Sequence, residues 1–393
     1  MILSFWLMIV LIAYTFIGYG LLLYVLNKIN YFFWGKKNSI SKNDGPSVTV
    51  IVTAFNEAYI IEEKIINTLA LIYPKQSVQY IFITDGSSDE TASIVAKYPS
   101  IKGMHLDERN GKIAAVQRAM KEIETEVVVF TDANAMLNKE ALMNICRHYL
   151  DPKVGAVAGE KRVLIDDHSD ATAGEGFYWK YESTLKQWEA DLYTVVGAAG
   201  ELYSIRTSLY QPIEQDTILD DFMISINIAL QGYSVVYEPE AFATETSSAN
   251  TQEELKRKIR IAAGGIQSTI RLWRLLVPFK NPILTFQFIS HRILRWVVAP
   301  TLMVLAFFLN MALVEQKGIY SVYGLLFLVQ LSFYVVAIIG FVLEKQHVKL
   351  QLKAFFIPYY FCLINYAMIA GAYRYFFTKQ SVLWEKAKRK RPI

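Results

Sequence analysis

Residues 1–26 read MILSFWLMIVLIAYTFIGYGLLLYVL, a run without a single charge. As a helix, such a run is long enough to cross a bilayer. A secretory leader would need a basic segment before the apolar run and a small-residue cleavage site after it, and neither is present, so a retained anchor is expected. Three more apolar stretches occupy roughly 297–314, 319–343 and 354–377. They account for a chain of 393 residues that is 53% hydrophobic, more than an ordinary soluble enzyme carries. Whatever else this chain does, it folds with four apolar segments to bury or to place in lipid.

Between the apolar ends, residues 47–245 mix charges freely and are numerous enough to form a core of their own. The formal charge is +4 and is local. Lys28, Lys36, Lys37 and Lys42 follow the first apolar run, and Lys386, Lys388, Arg389, Lys390 and Arg391 crowd residues 378–393. Basic flanks mark the cytoplasmic side, so a multi-pass protein of the cell membrane with 47–245 in the cytoplasm is expected. Four spans would put both ends of the chain outside, whereas the basic tail asks for the inside; a re-entrant stretch shielded by protein would reconcile the two. Cys146 and Cys362 stand in unrelated contexts and give no disulfide framework or metal cluster. No aromatic–basic pattern points to nucleic acid.

Within 47–245 the pattern alternates. VTVIVTAF (48–55) predicts a strand and 56–72 a helix; VQYIFITDGSS (78–88) predicts a strand and 89–99 a helix; 111–123 predicts a helix, VVVFTDAN (127–134) a strand, and 139–149 a helix. Strands apolar on both faces, alternating with helices, predict a mostly parallel sheet covered on both sides. Its polar residues gather where strands end: Asn56 and Glu57, then Asp85, then Asp132 and Asn134. Ligands of such sheets bind at that edge. Further on, VGAVAGEKRVL (154–164) predicts an edge strand, 177–190 a helix with Trp179, Tyr181 and Trp188, 195–206 a small-residue turn into a strand, and 218–233 a helix opened by two acids.

Taken singly, each polar residue has a plain explanation. Asp and Asn form turns, Asp85 could cap a helix, and Lys112 could be a surface lysine. Taken in order, they suit a nucleotide-diphospho-sugar. Mg2+ or Mn2+ needs one or two oxygen ligands from protein and takes phosphate oxygens for the rest, which Asp132 with Asn134 could provide. Lys112, behind Gly111 at a helix start, could meet phosphate charge. Asp85 could bind a base or ribose. Asp220 and Asp221 repel each other, which raises the pKa of one and suits Asp221 to take a proton from an acceptor hydroxyl.

These residues resemble glycosyltransferase family 2 in its membrane-integrated branch of polysaccharide synthases. The carriers are TAFNE (53–57), TDGSSDET (84–91), RNGK (109–112), FTDANA (130–135), GAAGELYSIR (197–206) and ILDDF (218–222). The resemblance implies an α/β chain of the GT-A, Rossmann-like class, with a mostly parallel sheet, helices on both faces, and transmembrane and interfacial helices. It implies that Thr53, Ala54, Asn56, Glu57, Asp85, Lys112, Asp132, Arg257 and Arg260 bind the donor, a UDP-sugar by preference. By the same resemblance Asp132 and Asn134 hold the metal, Asp221 with Asp220 is the base, and Gly200, Glu201 and Trp188 face the acceptor. HRILRW (291–296) mimics the QxxRW signature of processive members but lies too far beyond Asp221; RKIRI (257–261) sits nearer the expected place, with Arg260 keeping the Arg and Ile261 replacing Trp.

The implied division is a transmembrane helix over 1–26, the catalytic domain over 47–245, interfacial amphipathic helices over 246–296, about three spans over 297–377, and a basic tail over 378–393. Arg271, Arg274, Arg292 and Arg295, interleaved with apolar residues, are what suggest the interface. The expected activity is inverting sugar transfer onto a growing cell-surface glycan, in contact with membrane lipid and with an export partner. The rivals are single transfer to a lipid-linked acceptor and a non-catalytic scaffold.

Overall fold

The computed structural model describes residues 1–35, 45–164, 171–246, 251–277, 281–346 and 353–378. The basic residues expected in the tail lie outside the described residues. Among the described residues eight strands form one sheet: β1 (Val48–Ala54), β2 (Val78–Asp85), β3 (Lys102–Leu106), β4 (Val127–Asp132), β5 (Met136–Leu137), β6 (Val154–Leu164), β7 (Tyr203–Arg206) and β8 (Ser234–Thr246). Their order is β3-β2-β1-β4-β7-β6-β8-β5. β1 pairs in parallel with β2 and β4, β2 with β3, and β6 with β8. β7 runs antiparallel to both β4 and β6, and β5 antiparallel to β8.

Alternation along the strands builds a core on each face. Ile51, Val128 and Phe130 point to the side covered by helices Lys112–Met120 and Asp220–Leu230. Val50, Val52, Val127 and Val129 point to the other side, under helices Ile61–Leu69 and Ala141–Cys146. Both faces are apolar, so these strands show no polar alternation in sequence and need helices above and below.

The sheet differs from expectation, in the short β5 among other features. The β6 segment is interior, flanked by β7 and β8, because β7 turns back between the two parallel halves. The β3 strand was not anticipated: KGMHL is short, carries glycine and is mostly exposed at the sheet edge. The β8 strand was missed as well, since Pro239 and three glutamates interrupt its apolar pattern.

Among the described residues, four helices are long and apolar enough to cross a membrane: Ile2–Phe33, Pro282–Lys317, Val322–Lys345 and Phe355–Phe377. The second begins well before the expected 297. It absorbs HRILRW, and there Arg292 and Arg295 face inward toward Glu182 instead of out to a membrane interface. The helix Thr251–Arg271 is likewise no free surface element. Its Ala262–Ser268 stretch is buried, with Gly264 against Leu219, Gly265 against the Trp296 ring and Gly371 of the last helix against Ala262.

Candidate active site

Thr53 and Asp132 are register partners at the ends of β1 and β4, and Ala54 pairs with Thr84 one residue before Asp85. Three parallel strands therefore deliver their last residues to one edge. β1 leaves the sheet through Asn56, which adopts φ +53°. Asn is one of the few non-glycine residues at ease there. Its Oδ1 accepts the Ser88 N–H at 2.8 Å, while the Glu57 N–H donates to Thr91 Oγ1 at 2.8 Å. The loops after β1 and β2 are thereby sewn together, and the buried Glu57 side chain turns toward a cleft.

Asp85 does what neither simple reading anticipated. Its Oδ2 accepts the N–H groups of Asn110 at 2.9 Å and Gly111 at 2.6 Å, so it fastens the loop that launches helix Lys112–Met120. Its Oδ1 is buried with no hydrogen-bond partner among the described residues. Gly111, at φ +94°, makes the turn that starts the helix.

Lys112 then reaches across the edge. Its Nζ lies 3.0 Å from Asp132 Oδ1 and 3.4 Å from Asp220 Oδ2. Burial alone would lower its pKa, but Asp132 and Asp220 outweigh that and hold the ammonium well above its ordinary value. The Asp132 carboxyl is pushed up by burial, against the pull of Lys112. Asp221, next in the chain, is pushed up to about 7, first by burial and then by the charge of Asp220.

The cleft around them measures about 380 Å³ and is lined by Glu57, Lys112, Asp132, Asn134, Gly200, Glu201, Asp220, Asp221, Arg257 and Arg260. Burial lowers the pKa of the Arg260 guanidinium. Arg257 is paired through Nε with Glu254 Oε2 at 3.1 Å. The loop before Asp220 is gripped by the same helix, with Gln267 accepting the Ile218 N–H at 2.9 Å and Arg271 pairing with Asp216 at 2.6 Å. The far wall belongs to Ile364, Met368 and Arg374 of the last apolar helix.

Not every expected residue arrives. Trp188, expected beside the acceptor, packs instead against Tyr24 of the first apolar helix, with ring centroids 5.6 Å apart. It points away because the helix Ala171–Leu192 presents Trp179, Glu182 and Lys186 to the cleft and its other face to the first apolar helix. Ala54 is buried in the core on the sheet's other face. Thr53 borders a small void shared with Lys112 and Asp132, behind the main cleft.

Sequence reading also missed residues. Lys64 is fully buried, donating to Thr131 Oγ1 at 3.0 Å and to the Ala135 carbonyl, so it braces both sides of the Asp132–Asn134 turn. Burial pushes its ammonium down to about 7. Lys161 sits between Glu245, at 2.7 Å, and Glu201. Burial raises the Glu201 carboxyl, but Lys161 more than offsets this and holds it well below the usual carboxylate range. A lysine inside the apolar period of a predicted helix was the available signal for Lys64. For Lys161 there was none, because its partners are remote in sequence.

Residues 46–264 match the family described as glycosyltransferase like family 2. Poly-beta-1,6-N-acetyl-D-glucosamine synthase of Staphylococcus aureus is 27% identical over 247 residues, 60% of this chain and 58% of the relative. The synthase of the same name from Staphylococcus epidermidis is 23% identical over 261 residues, 64% of this chain and 62% of the relative. The matches thus span less than two thirds of these curated relatives. Mannosyltransferase PcManGT from Pyrobaculum calidifontis, solved with GDP-Man and Mn2+, superposes with a TM-score of 0.70 over 95% of this chain and 99% of that chain, at 23% identity. That likeness is one of fold, and the fold is the GT-A arrangement expected, with apolar helices appended. With more than half of its residues inside the family match, the chain belongs to the glycosyltransferase like family 2.

Proposed function

We propose that this protein is a membrane-bound inverting glycosyltransferase that moves a sugar from a nucleotide-diphospho-sugar to a hydroxyl of a growing cell-surface glycan. The observation that carries this reading is the meeting of Lys112 with Asp132 and Asp220, next to Asp221, on one edge of the sheet. In this reading Asp85, with its unsatisfied buried Oδ1, receives the nucleoside, helped by Asn56 and Glu57. Lys112, Arg257 and Arg260 bind the diphosphate. Asp221 takes the proton of the incoming hydroxyl, and a carboxyl pushed up to about 7 is matched to that task. Gly200 and Glu201, across from Asp221, guide the acceptor.

The donor set suits a hard divalent cation. Asp132 and Asn134 offer oxygen ligands two residues apart, and no cluster of three or more His, Cys, Asp or Glu able to hold a metal occurs among the described residues. Such an ion takes its remaining ligands from phosphate and water. Asp132 and Asn134 would hold Mg2+ or Mn2+, which supplies charge neutralisation for the departing diphosphate. The Mn2+ and GDP-Man in the structural neighbour and the polymer named in the curated relatives support this class of chemistry. Basic residues near the first span support a cytoplasmic catalytic domain.

A second reading, one sugar onto a lipid-linked acceptor, is favoured by the cleft wall: Ile364 and Met368 come from a helix apolar enough to lie in lipid. A scaffold without activity has no use for the convergent acids. Purified protein with Mg2+ or Mn2+ and a panel of UDP- and GDP-sugars, scored for released nucleotide, tests the first reading. Sizing a radiolabelled product separates polymer from single addition. Absence of turnover with every donor and acceptor offered would count against both.

A further inference from the structure

Val196 precedes the turn at Gly197, and the side chains of buried Glu189 and half-buried Arg292 hold both of its backbone polar groups. Its N–H donates to Glu189 Oε2 at 3.3 Å. Its carbonyl accepts from Arg292 Nε at 3.0 Å and Nη2 at 2.8 Å. The third guanidinium nitrogen, Nη1, faces Glu182 Oε2 at 3.8 Å. All three nitrogens of Arg292 are thus turned to protein groups. Glu189 and Glu182 belong to the helix Ala171–Leu192, but Arg292 belongs to Pro282–Lys317, one of the helices able to cross a membrane.

Behind this contact lies a closed network. His291 Nδ1 meets Glu189 Oε1 at 2.7 Å, Arg295 pairs with Glu182, and the Tyr19 hydroxyl of the first apolar helix donates to Glu189 Oε1 at 2.7 Å. Glu182, Glu189 and His291 are almost wholly buried. Dehydrating so many charges costs several kcal/mol per ion, and apolar side chains of the same volume would stabilise the fold as well or better. Two of its members, Glu189 and Arg292, hold Val196.

The next residues connect that position to the reacting groups. Gly197 has φ +88°, and a Cβ there would stand 2.1 Å from the Phe222 ring. The Ala198 N–H donates at 2.9 Å to Ser225 Oγ, on the helix that begins with Asp220 and Asp221. A Cβ built on Gly200 would lie 3.3 Å from Asp221 Oδ2. Residues 196–200 are therefore pinned at one end by Arg292 and at the other by the helix of Asp221.

We propose that Arg292 is a positioning residue of the transfer step: by clamping the Val196 carbonyl it sets the distance between residues 197–201 and Asp221, and so the approach of the acceptor hydroxyl. This rests on the reading of Asp221 as the base. It adds that the seating of a membrane-entering helix, whose Arg292 also borders the cleft, adjusts the acceptor side.

Arg292→Met and Arg292→Lys in the full chain, in detergent or nanodiscs, test this with three readouts. These are nucleotide affinity (UDP and GDP with Mn2+), acceptor kinetics, and amide hydrogen exchange over 196–201. Misplacement by about 1 Å costs about 100-fold in rate. Arg292→Met is expected to lower acceptor kcat/KM by about 30–100-fold, with nucleotide Kd within about two-fold of wild type and faster exchange at 196–201. Lysine keeps the charge but loses the planar fork, so Arg292→Lys should recover part of the loss. Wild-type acceptor kinetics in Arg292→Met, or nucleotide affinity falling as far as transfer, would overturn the proposal. If Arg292→Met fails to fold, Arg292→Lys decides: about 3–10-fold lower acceptor kcat/KM is expected, and unchanged kinetics sinks it. If wild-type protein transfers no sugar, the functional reading fails separately, and unaltered exchange at 196–201 in the variants would still refute the clamp.

Discussion

Lys112 Nζ lies 3.0 Å from Asp132 Oδ1, although the two residues leave the sheet from different strand–loop units. Asp85 makes this possible by holding the backbone of Asn110 and Gly111, so that the helix carrying Lys112 starts at the sheet edge. A cation and an acid are thus held together at the sheet edge.

Lys112→Met tests the phosphate side. Losing one hydrogen bond from a charged group costs about 1.5–3 kcal/mol, about 10–100-fold in affinity. UDP or GDP titrated by calorimetry should bind that much more weakly, while uridine and guanosine bind as before. Equal loss for nucleoside and nucleotide would assign Lys112 to the fold instead.

Asp132→Ala addresses the metal. Wild-type protein should bind the nucleoside diphosphate more tightly when Mn2+ is added, and the variant should show the same Kd with and without it. A metal response that survives the substitution would remove Asp132 from the ligand set.

Asp221→Asn is expected to move activity and stability in opposite directions. Losing a general base lowers turnover by about 10²–10⁴-fold. The same change relieves a buried carboxyl pressed against Asp220, so the unfolding temperature at neutral pH should hold or rise. Wild-type turnover, or a large drop in unfolding temperature, would contradict this.

The pH profile follows from the same group. Asp221 must be ionised to accept a proton, so kcat/KM should climb about tenfold per unit below pH 7 and level off above about 7. For stability the sign is reversed. The folded-state pKa is raised above its unfolded value, so the protonated form favours the fold, and stability falls as pH rises from the ordinary carboxylate range to about 7. Chemical denaturation of wild type and Asp221→Asn should diverge from about pH 4 to about pH 7 and run parallel above that, and curves parallel throughout would argue against the raised pKa.

Much of the fold was legible because β1, β2 and β4 are buried on both faces. Their continuous apolar runs have one economical solution, a parallel sheet between helices, and the polar residues after each run then share an edge. Glu57, Asp132 and Asn134 reached the cleft for that reason, whereas Lys112 starts the helix after β3, and Asp220 and Asp221 open the helix after the antiparallel β7. Trp188 did not, since which face of a helix meets the cleft depends on what packs behind it, here the first apolar helix.

From residue order alone came the four apolar helices, the α/β core and the line of acids at its rim, because these follow from periodicity and composition within one segment. Tertiary structure decided the rest. The antiparallel β7, the inward turn of Arg292 and Arg295, and the bracing of the Asp132–Asn134 turn by Lys64 each join segments far apart in sequence. A buried charge declares its purpose only when its partner is in view, since burial is tolerable only where that partner stands within a few ångströms.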